Sequence, residues 1–377
     1  MVHVRPELAR LYVPRPDRLF QSLRFRQRRS HIDLATVEDM VAAWDLKLLE
    51  KPQVPPGPGR SYSLIVRTER GRKLLKRYKH TVPVPSIVHE HSILAYLAHV
   101  DFPAPRLVTT PAGETLVCRD GHNYALFDFI DGGFQYHNYF LLPAQQRQFI
   151  AIAGEVLALP HYELRGFVPQ GHNPNGFKSR QEDWWRDLDW YASRLTRCIE
   201  ETRRLQASAG DTGAAWLLPQ AGYLEESLYR LDAMLKDAAL PRLIIHGDYG
   251  PYNLLFRRGA PVTILDFEIA RLDWRATELV DALWRFTYSR LGFSLAKMKW
   301  FLDAYRARFA VDADELRLLP AVWEFLNVRR CIVRWHHYCD THEPQRLAQA
   351  QWNLKLIHWM EANKDAFAAR LGNETQR

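Results

Sequence analysis

Residues 242–268 read RLIIHGDYGPYNLLFRRGAPVTILDFE, and this stretch decides how the rest of the chain is read. Two short apolar runs, Leu243-Ile244-Ile245 and Val262-Thr263-Ile264-Leu265, have the character of buried strands. A third run, Leu254-Leu255-Phe256, opens a hairpin that turns at Arg257-Arg258-Gly259. The polar residues sit where these strands end: His246, Asp248 and Asn253 on one loop, and Asp266 on the other. A carboxylate directly after a buried strand is costly unless a cation or hydrogen-bond donors meet it. Metal bound to a phosphate is the simplest partner for this set.

The spacing sharpens that reading. Asn253 lies five residues after Asp248 in a His-x-Asp segment, and an Asp-Phe pair leaves the next strand. That order is the one used for phosphoryl transfer: the first Asp accepts the hydroxyl proton, and the Asn and second Asp hold Mg²⁺. The roles would fall on Asp248, Asn253 and Asp266, with His246 bracing the loop by hydrogen bonding. The competing reading is a polar hairpin with turn-forming Asp and Asn; the ordered set with strands around it favours the first.

The chain has 377 residues, enough for two structural units or one two-lobed enzyme. Its hydrophobic content of 47% and charged content of 25% suit a folded globular protein. No apolar run approaches the roughly 18 residues of a membrane helix, and the first residues lack the apolar region of a signal peptide. Cys118, Cys198, Cys331 and Cys339 have no metal-ligand spacing and read as free thiols of a cytoplasmic protein. Of the net charge of +8, residues 1–30 contribute +6, from eight arginines against Glu7 and Asp17. The other 347 residues come to +2, which argues against a nucleic-acid partner. Residues 1–32 are therefore read as a basic extension.

Residues 33–49 alternate at helical spacing, with Thr36 placed to cap a helix. Residues 51–61 then break it with four prolines and two glycines. Two strands follow, Tyr62–Thr68 and Lys73–Tyr78, joined by Glu69-Arg70-Gly71. The segment 57–61, with Gly59 and Ser61, is a candidate phosphate-contacting loop. If Leu75 faces the core, Lys76 points to the opposite face, where a nucleotide could lie. Residues 86–99 form a helix on which Glu90 shares the inward face of Ile87, Leu94 and Leu97. A strand Lys and a helix Glu in this order allow an ion pair that aims the ammonium at phosphates. Strands near 106–110, 115–119 and 124–129 complete a nucleotide-binding part over 33–130, and the backbone of 126–130, Phe129 included, would face an adenine ring. Helical patterns dominate from 131 to 377. Residues 165–180 form a long loop of the kind that covers a substrate. Trp184, Trp185, Trp190 and Tyr191 follow it, as core or as a platform for a sugar or organic cation.

With these residues in hand, the chain resembles the aminoglycoside phosphotransferase and choline-kinase-like family of small-molecule kinases over about residues 36–340. The residues that carry the resemblance are His246, Asp248, Asn253 and Leu254-Leu255-Phe256, then Ile264-Leu265-Asp266-Phe267-Glu268, with Lys76 and Glu90. The resemblance implies an α+β, protein-kinase-like fold with a mainly antiparallel β N-lobe and a mainly helical C-lobe. It implies ATP and Mg²⁺, and transfer of the γ-phosphoryl group to a hydroxyl of a sugar, amino alcohol, homoserine-like metabolite or antibiotic. Phe267-Glu268 replaces the Phe-Gly of protein kinases, and no Ala-Pro-Glu motif follows Asp266, which argues against a protein kinase. A nucleotide-binding pseudokinase or coat-like structural protein on the same fold is the alternative. Intact Lys76, Asp248, Asn253 and Asp266 argue against it.

Overall fold

A computed structural model describes residues 32–33, 36–55, 62–131, 143–177, 188–209, 213–289 and 292–371. The chain forms two compact units, one from residues 1–137, 166–173 and 246–270, the other from 138–165, 174–245 and 271–377. Residues 1–31 of the basic extension, Gly59 and Ser61, and Trp184 and Trp185 lie outside the described residues, whereas Ile32, read as the end of that extension, is buried in the core of the first unit.

The first unit is built on an antiparallel sheet. A short helix α1 (Val37–Ala42) precedes β1 (Ser63–Thr68) and β2 (Gly71–Arg77), and helix α2 (Val84–His99) follows them. Next come β3 (Leu107–Val108), β4 (Val117–Arg119) and β5 (His122–Asp128). The order across the sheet is β1-β2-β5-β3, and β4 pairs with the start of β5. Leu64 and Val66 of β1 alternate inward with Leu75 of β2 and Leu126 of β5, and Leu75 pairs with both Leu64 and Leu126. Val37, Met40, Val41 and Trp44 close this core from one side. The β4–β5 turn places Asp120 and Gly121 at positive φ, as a two-residue hairpin of right-handed twist requires. Strand positions agree with the sequence pattern because its alternation and its Gly-bearing turns are local signals.

The helix expected over 33–49 is shorter. It ends at Ala42, and Asp45 at φ 54° turns the chain so that Leu48 and Gln53 bridge to Thr68 and Ile65 along the free edge of β1. Sheet pairing outcompetes the helical pattern there. Thr36 does not cap: its hydroxyl donates to the carbonyl of Asp33. Within the long loop, Gln170 and Gly171 pack on α2. A Cβ at Gly171, which has φ +66°, would lie 2.2 Å from the carbonyl oxygen of Pro85. The Gln170 amide donates to Ser92 Oγ at 3.0 Å.

The second unit is helical: α3 (Pro143–Glu163), α4 (Leu188–Ala209), α5 (Ala221–Lys236), α6 (Arg275–Thr287), α7 (Leu295–Arg306), α8 (Ala313–Thr341) and α9 (Pro344–Leu371). A two-stranded ribbon pairs Arg242–Ile245 with Arg271–Trp274; the sequence pattern gave no sign of the second of these strands. Asp312 caps α8 by accepting from the Glu315 amide at 2.7 Å. Among the described residues no helix is long and apolar enough to cross a membrane. Trp190 contradicts the core reading of its aromatic row: it is 36% exposed, and Arg194 stacks on its face.

A Cβ at Gly154 of α3 would lie 2.1 Å from the carbonyl oxygen of Phe301 on α7. Gly154→Ala should therefore lower stability by about 1–3 kcal/mol, the usual cost of overpacking; an unchanged urea midpoint would contradict the close approach. Asp281 accepts from both Nη atoms of Arg330 at 2.6 Å. Burial pushes its pKa up, but Arg330 and then Arg285 outweigh burial and hold it at about 2. Because the folded pKa is depressed, this stabilisation is present above the ordinary carboxylate pKa of about 4 and is lost as pH falls toward about 2. Asp281→Asn should be less stable than wild type at neutral pH, with a gap that closes over that acid range in denaturant titrations.

Candidate active site

The described candidate residues Lys76, Glu90, Phe129, His246, Asp248, Asn253 and Asp266 all fall in the first unit. The piece after Ile245 begins with His246, which is 3% exposed. Its Nε2 donates to the carbonyl of Leu265 at 2.7 Å, and its Nδ1 accepts the backbone N–H of Asp248 at 3.2 Å. These two bonds place the ring proton on Nε2. The imidazole thereby ties the loop bearing Asp248 to the residue just before Asp266. Phe267 packs its ring edgewise against His246 at 4.7 Å.

Asp248 is half-buried. Its Oδ1 accepts from the Tyr252 hydroxyl at 2.7 Å and its Oδ2 from Asn253 Nδ2 at 3.3 Å. Asn253 Nδ2 also donates to the Asp248 carbonyl at 2.9 Å. Both bonds use Nδ2, so Asn253 Oδ1, the atom able to ligate a cation, has no hydrogen bond among the described residues. The Leu265 amide donates to the Asn253 carbonyl at 2.8 Å, and the hairpin expected over 254–265 pairs Leu254 with Ile264 and Leu255 with Thr263. One strand end thus holds Asn253, and the other delivers Asp266.

Asp266 is exposed and has φ 63°, a conformation that L-residues other than Asn and Asp rarely adopt. The turn buries Phe267 and leaves the Asp266 carboxylate outside. Strain of this kind is held by its surroundings and collects at functional sites.

On β2, Lys76 Nζ reaches Glu90 Oε1 at 3.2 Å, which is the strand–helix ion pair expected from the spacing. It also reaches Glu268 Oε2 at 3.0 Å. Burial draws the Lys76 pKa down, but Glu90, with further help from Glu268 and Asp266, overcomes it and holds the pKa well above the usual lysine range. Glu90 is 3% exposed. Burial raises its pKa, opposed by Lys76 and by the Tyr78 hydroxyl, which donates to Oε2 at 2.8 Å. Behind Tyr78, His91 donates from Nε2 to the phenolic oxygen at 3.0 Å, and its Nδ1 meets Thr115 Oγ1 at 2.8 Å. Burial depresses the His91 pKa to about 4, so this brace is uncharged at neutral pH.

Three residues of the site were not anticipated. The ion pair of Glu268 with Lys76 is not foreseen, because a contact between a loop carboxylate and a strand lysine has no local signature. Tyr78 had one: two residues after Lys76 in a strand, it shares the same face. Tyr252 has no signature in the sequence that marks its hydroxyl as a partner of Asp248. The expected adenine-facing backbone is narrowed, since the Phe129 amide donates to the Arg72 carbonyl at 3.2 Å. Phe129 offers its ring, over which the Arg72 guanidinium lies at 4.1 Å.

The chemistry of this set fits a hard divalent cation with a polyphosphate. The carboxylates of Glu90, Glu268 and Asp266 outnumber the one ammonium of Lys76, and an amide oxygen without a hydrogen bond stands on the neighbouring loop. Mg²⁺ is bound through one or two carboxylates plus water and substrate phosphates. Among the described residues no cluster of three His, Cys, Asp or Glu side chains forms an all-protein metal cage.

The sequence profile of the phosphotransferase enzyme family matches residues 53–319. A homoserine kinase of Rhodopseudomonas palustris is 26% identical over 310 residues, covering 81% of this chain and 85% of that protein. The fold is similar to that of an aminoglycoside phosphotransferase from Alicyclobacillus acidocaldarius, with a TM-score of 0.62 and 18% identity over 93% of this chain and 99% of that one. It is also similar to an amicoumacin kinase in complex with AMP-PNP and Ca²⁺, with a TM-score of 0.59 and 13% identity over 87% of this chain and 94% of that one. The chain belongs to the phosphotransferase enzyme family of small-molecule kinases, with the protein-kinase-like α+β fold that its sequence led us to expect.

Proposed function

We propose that the protein is an ATP-dependent kinase that transfers the γ-phosphoryl group to a hydroxyl of a small acceptor, and that an amino-acid alcohol of the homoserine type is the first acceptor to test. The observation that carries this reading is the pairing of two devices in one unit. Asp248 and Asn253 are bonded to each other and tied by His246 to the strand end before Asp266, and Lys76 is held by a buried Glu90. The homoserine kinase relatives supply the acceptor class. The nucleotide analogue and cation bound by the amicoumacin kinase support ATP and a divalent metal.

In this reading Asp248 orients the acceptor hydroxyl and takes its proton. Asn253 Oδ1 and the Asp266 carboxylate are the residues that would hold Mg²⁺, which supplies charge neutralisation across the phosphates when bound. Lys76, kept charged and aimed by Glu90, meets the α- and β-phosphates. Glu268 also reaches that ammonium, at 3.0 Å. Catalysis is positioning and electrostatic stabilisation, as a loose phosphoryl-transfer transition state requires. The four free cysteines, three of them buried, suit a cytoplasmic enzyme.

The test is ADP formation by the purified protein with ATP and Mg²⁺, against L-homoserine, other amino alcohols, sugars and aminoglycosides. Acceptor-dependent ADP release is expected; ATP binding with no turnover across the panel would overturn the reading. Asp248→Asn should lower kcat by about 10²–10⁴, the range of a general acid–base group, with ATP affinity by calorimetry retained. Lys76→Met should raise the KM for ATP as well as lower kcat. Equal turnover by wild type and Asp248→Asn would remove Asp248 as the base.

A further inference from the structure

The contact between Tyr252 and Asp248 has the geometry that the proposed reaction demands of its acceptor. The phenolic O–H donates to Asp248 Oδ1 at 2.7 Å, and a hydroxyl within about 2.6–3.2 Å of the base is the requirement for proton transfer. The Tyr252 side chain is also reachable, since the residue is 43% exposed. Its ring lies against Gly250, where a Cβ would come within 2.9 and 3.0 Å of ring carbons, so the absence of a side chain at 250 lets the ring lie there.

Resting on the kinase reading above, we propose that Tyr252 is a self-modification site: with MgATP and no acceptor, the protein phosphorylates its own Tyr252 hydroxyl. A bond forms between the γ-phosphorus and Tyr252 Oη while the bond from that phosphorus to the β–γ bridging oxygen breaks. The phenolic proton passes to Asp248, and ADP leaves. The phosphate adds about −1.5 to −2 charges beside the Asp248 carboxylate and removes the hydrogen that held the two together.

Full-length protein incubated with MgATP and no acceptor should gain the mass of one phosphoryl group, and peptide mapping should place it on Tyr252. The rate per molecule should not change with protein concentration, as for transfer within one chain. Tyr252→Phe keeps the ring and should abolish the gain. Gly250→Ala keeps the hydroxyl but displaces the ring, and should slow it. Asp248→Asn should slow it by about 10²-fold or more. Circular dichroism and ATP affinity establish that each variant is folded and loaded. Wild type that phosphorylates an acceptor yet never modifies Tyr252, or gains phosphate elsewhere, overturns this inference and leaves the kinase reading standing. Protein that binds ATP but neither forms ADP with any acceptor nor modifies itself removes both.

Discussion

The candidate site depends on one imidazole. His246 spans two loops that share no covalent neighbour, donating to the Leu265 carbonyl and accepting from the Asp248 amide. Buried backbone groups must find partners, and here one side chain satisfies a donor and an acceptor on the two segments that carry the acids. The hairpin between them fixes the rest: Leu254 and Ile264 pair, Asn253 stands at one strand end, and Asp266 leaves the other in a left-handed conformation. Geometry that must be reproducible to fractions of an ångström is thus set by short antiparallel pairing and a buried ring, and not by long flexible side chains.

Lys76 poses a complementary problem. A buried ammonium is costly unless paired and hydrogen-bonded, and Glu90 alone is itself buried. The pair is stabilised from behind by the Tyr78 hydroxyl and, beyond it, by His91 and Thr115. Glu268 adds a second carboxylate on the open side. Two anions around one cation leave net negative charge, an electrostatic environment suited to a divalent metal arriving with phosphates. Removing either Glu90 or Tyr78 would loosen the ammonium's aim as well as its charge balance.

Much of this was legible in the sequence, for reasons that can be named. The hairpin over 254–265 and the strands around Lys76 are written in local alternation and in turns at Gly71 and Gly259. Glu90 could be placed because helical spacing puts it among Ile87, Leu94 and Leu97. Contacts made only in three dimensions were not legible. Glu268 lies far from Lys76 along the chain, and nothing in its neighbours announces the ion pair. Tyr252 looks like any aromatic residue in a turn until its hydroxyl is found on Asp248. The segment after α1 read as helix because its periodicity was helical, yet the open edge of β1 captured Leu48 and Gln53 as bridges. The strand Arg271–Trp274 was missed because its pattern, with Arg271 and Asp273 pairing in the interior, lacks the apolar signature of a buried strand.

The central claim is that phosphorus moves from ATP to an acceptor hydroxyl at Asp248, and phosphorus-31 NMR observes that transfer directly. With ATP, Mg²⁺ and an accepted substrate, the γ-phosphate resonance should decline while a phosphomonoester resonance grows in equal measure, with ADP as the other product. Growth of inorganic phosphate alone, or an ATP spectrum that stays unchanged through prolonged incubation with the folded protein, would contradict the account.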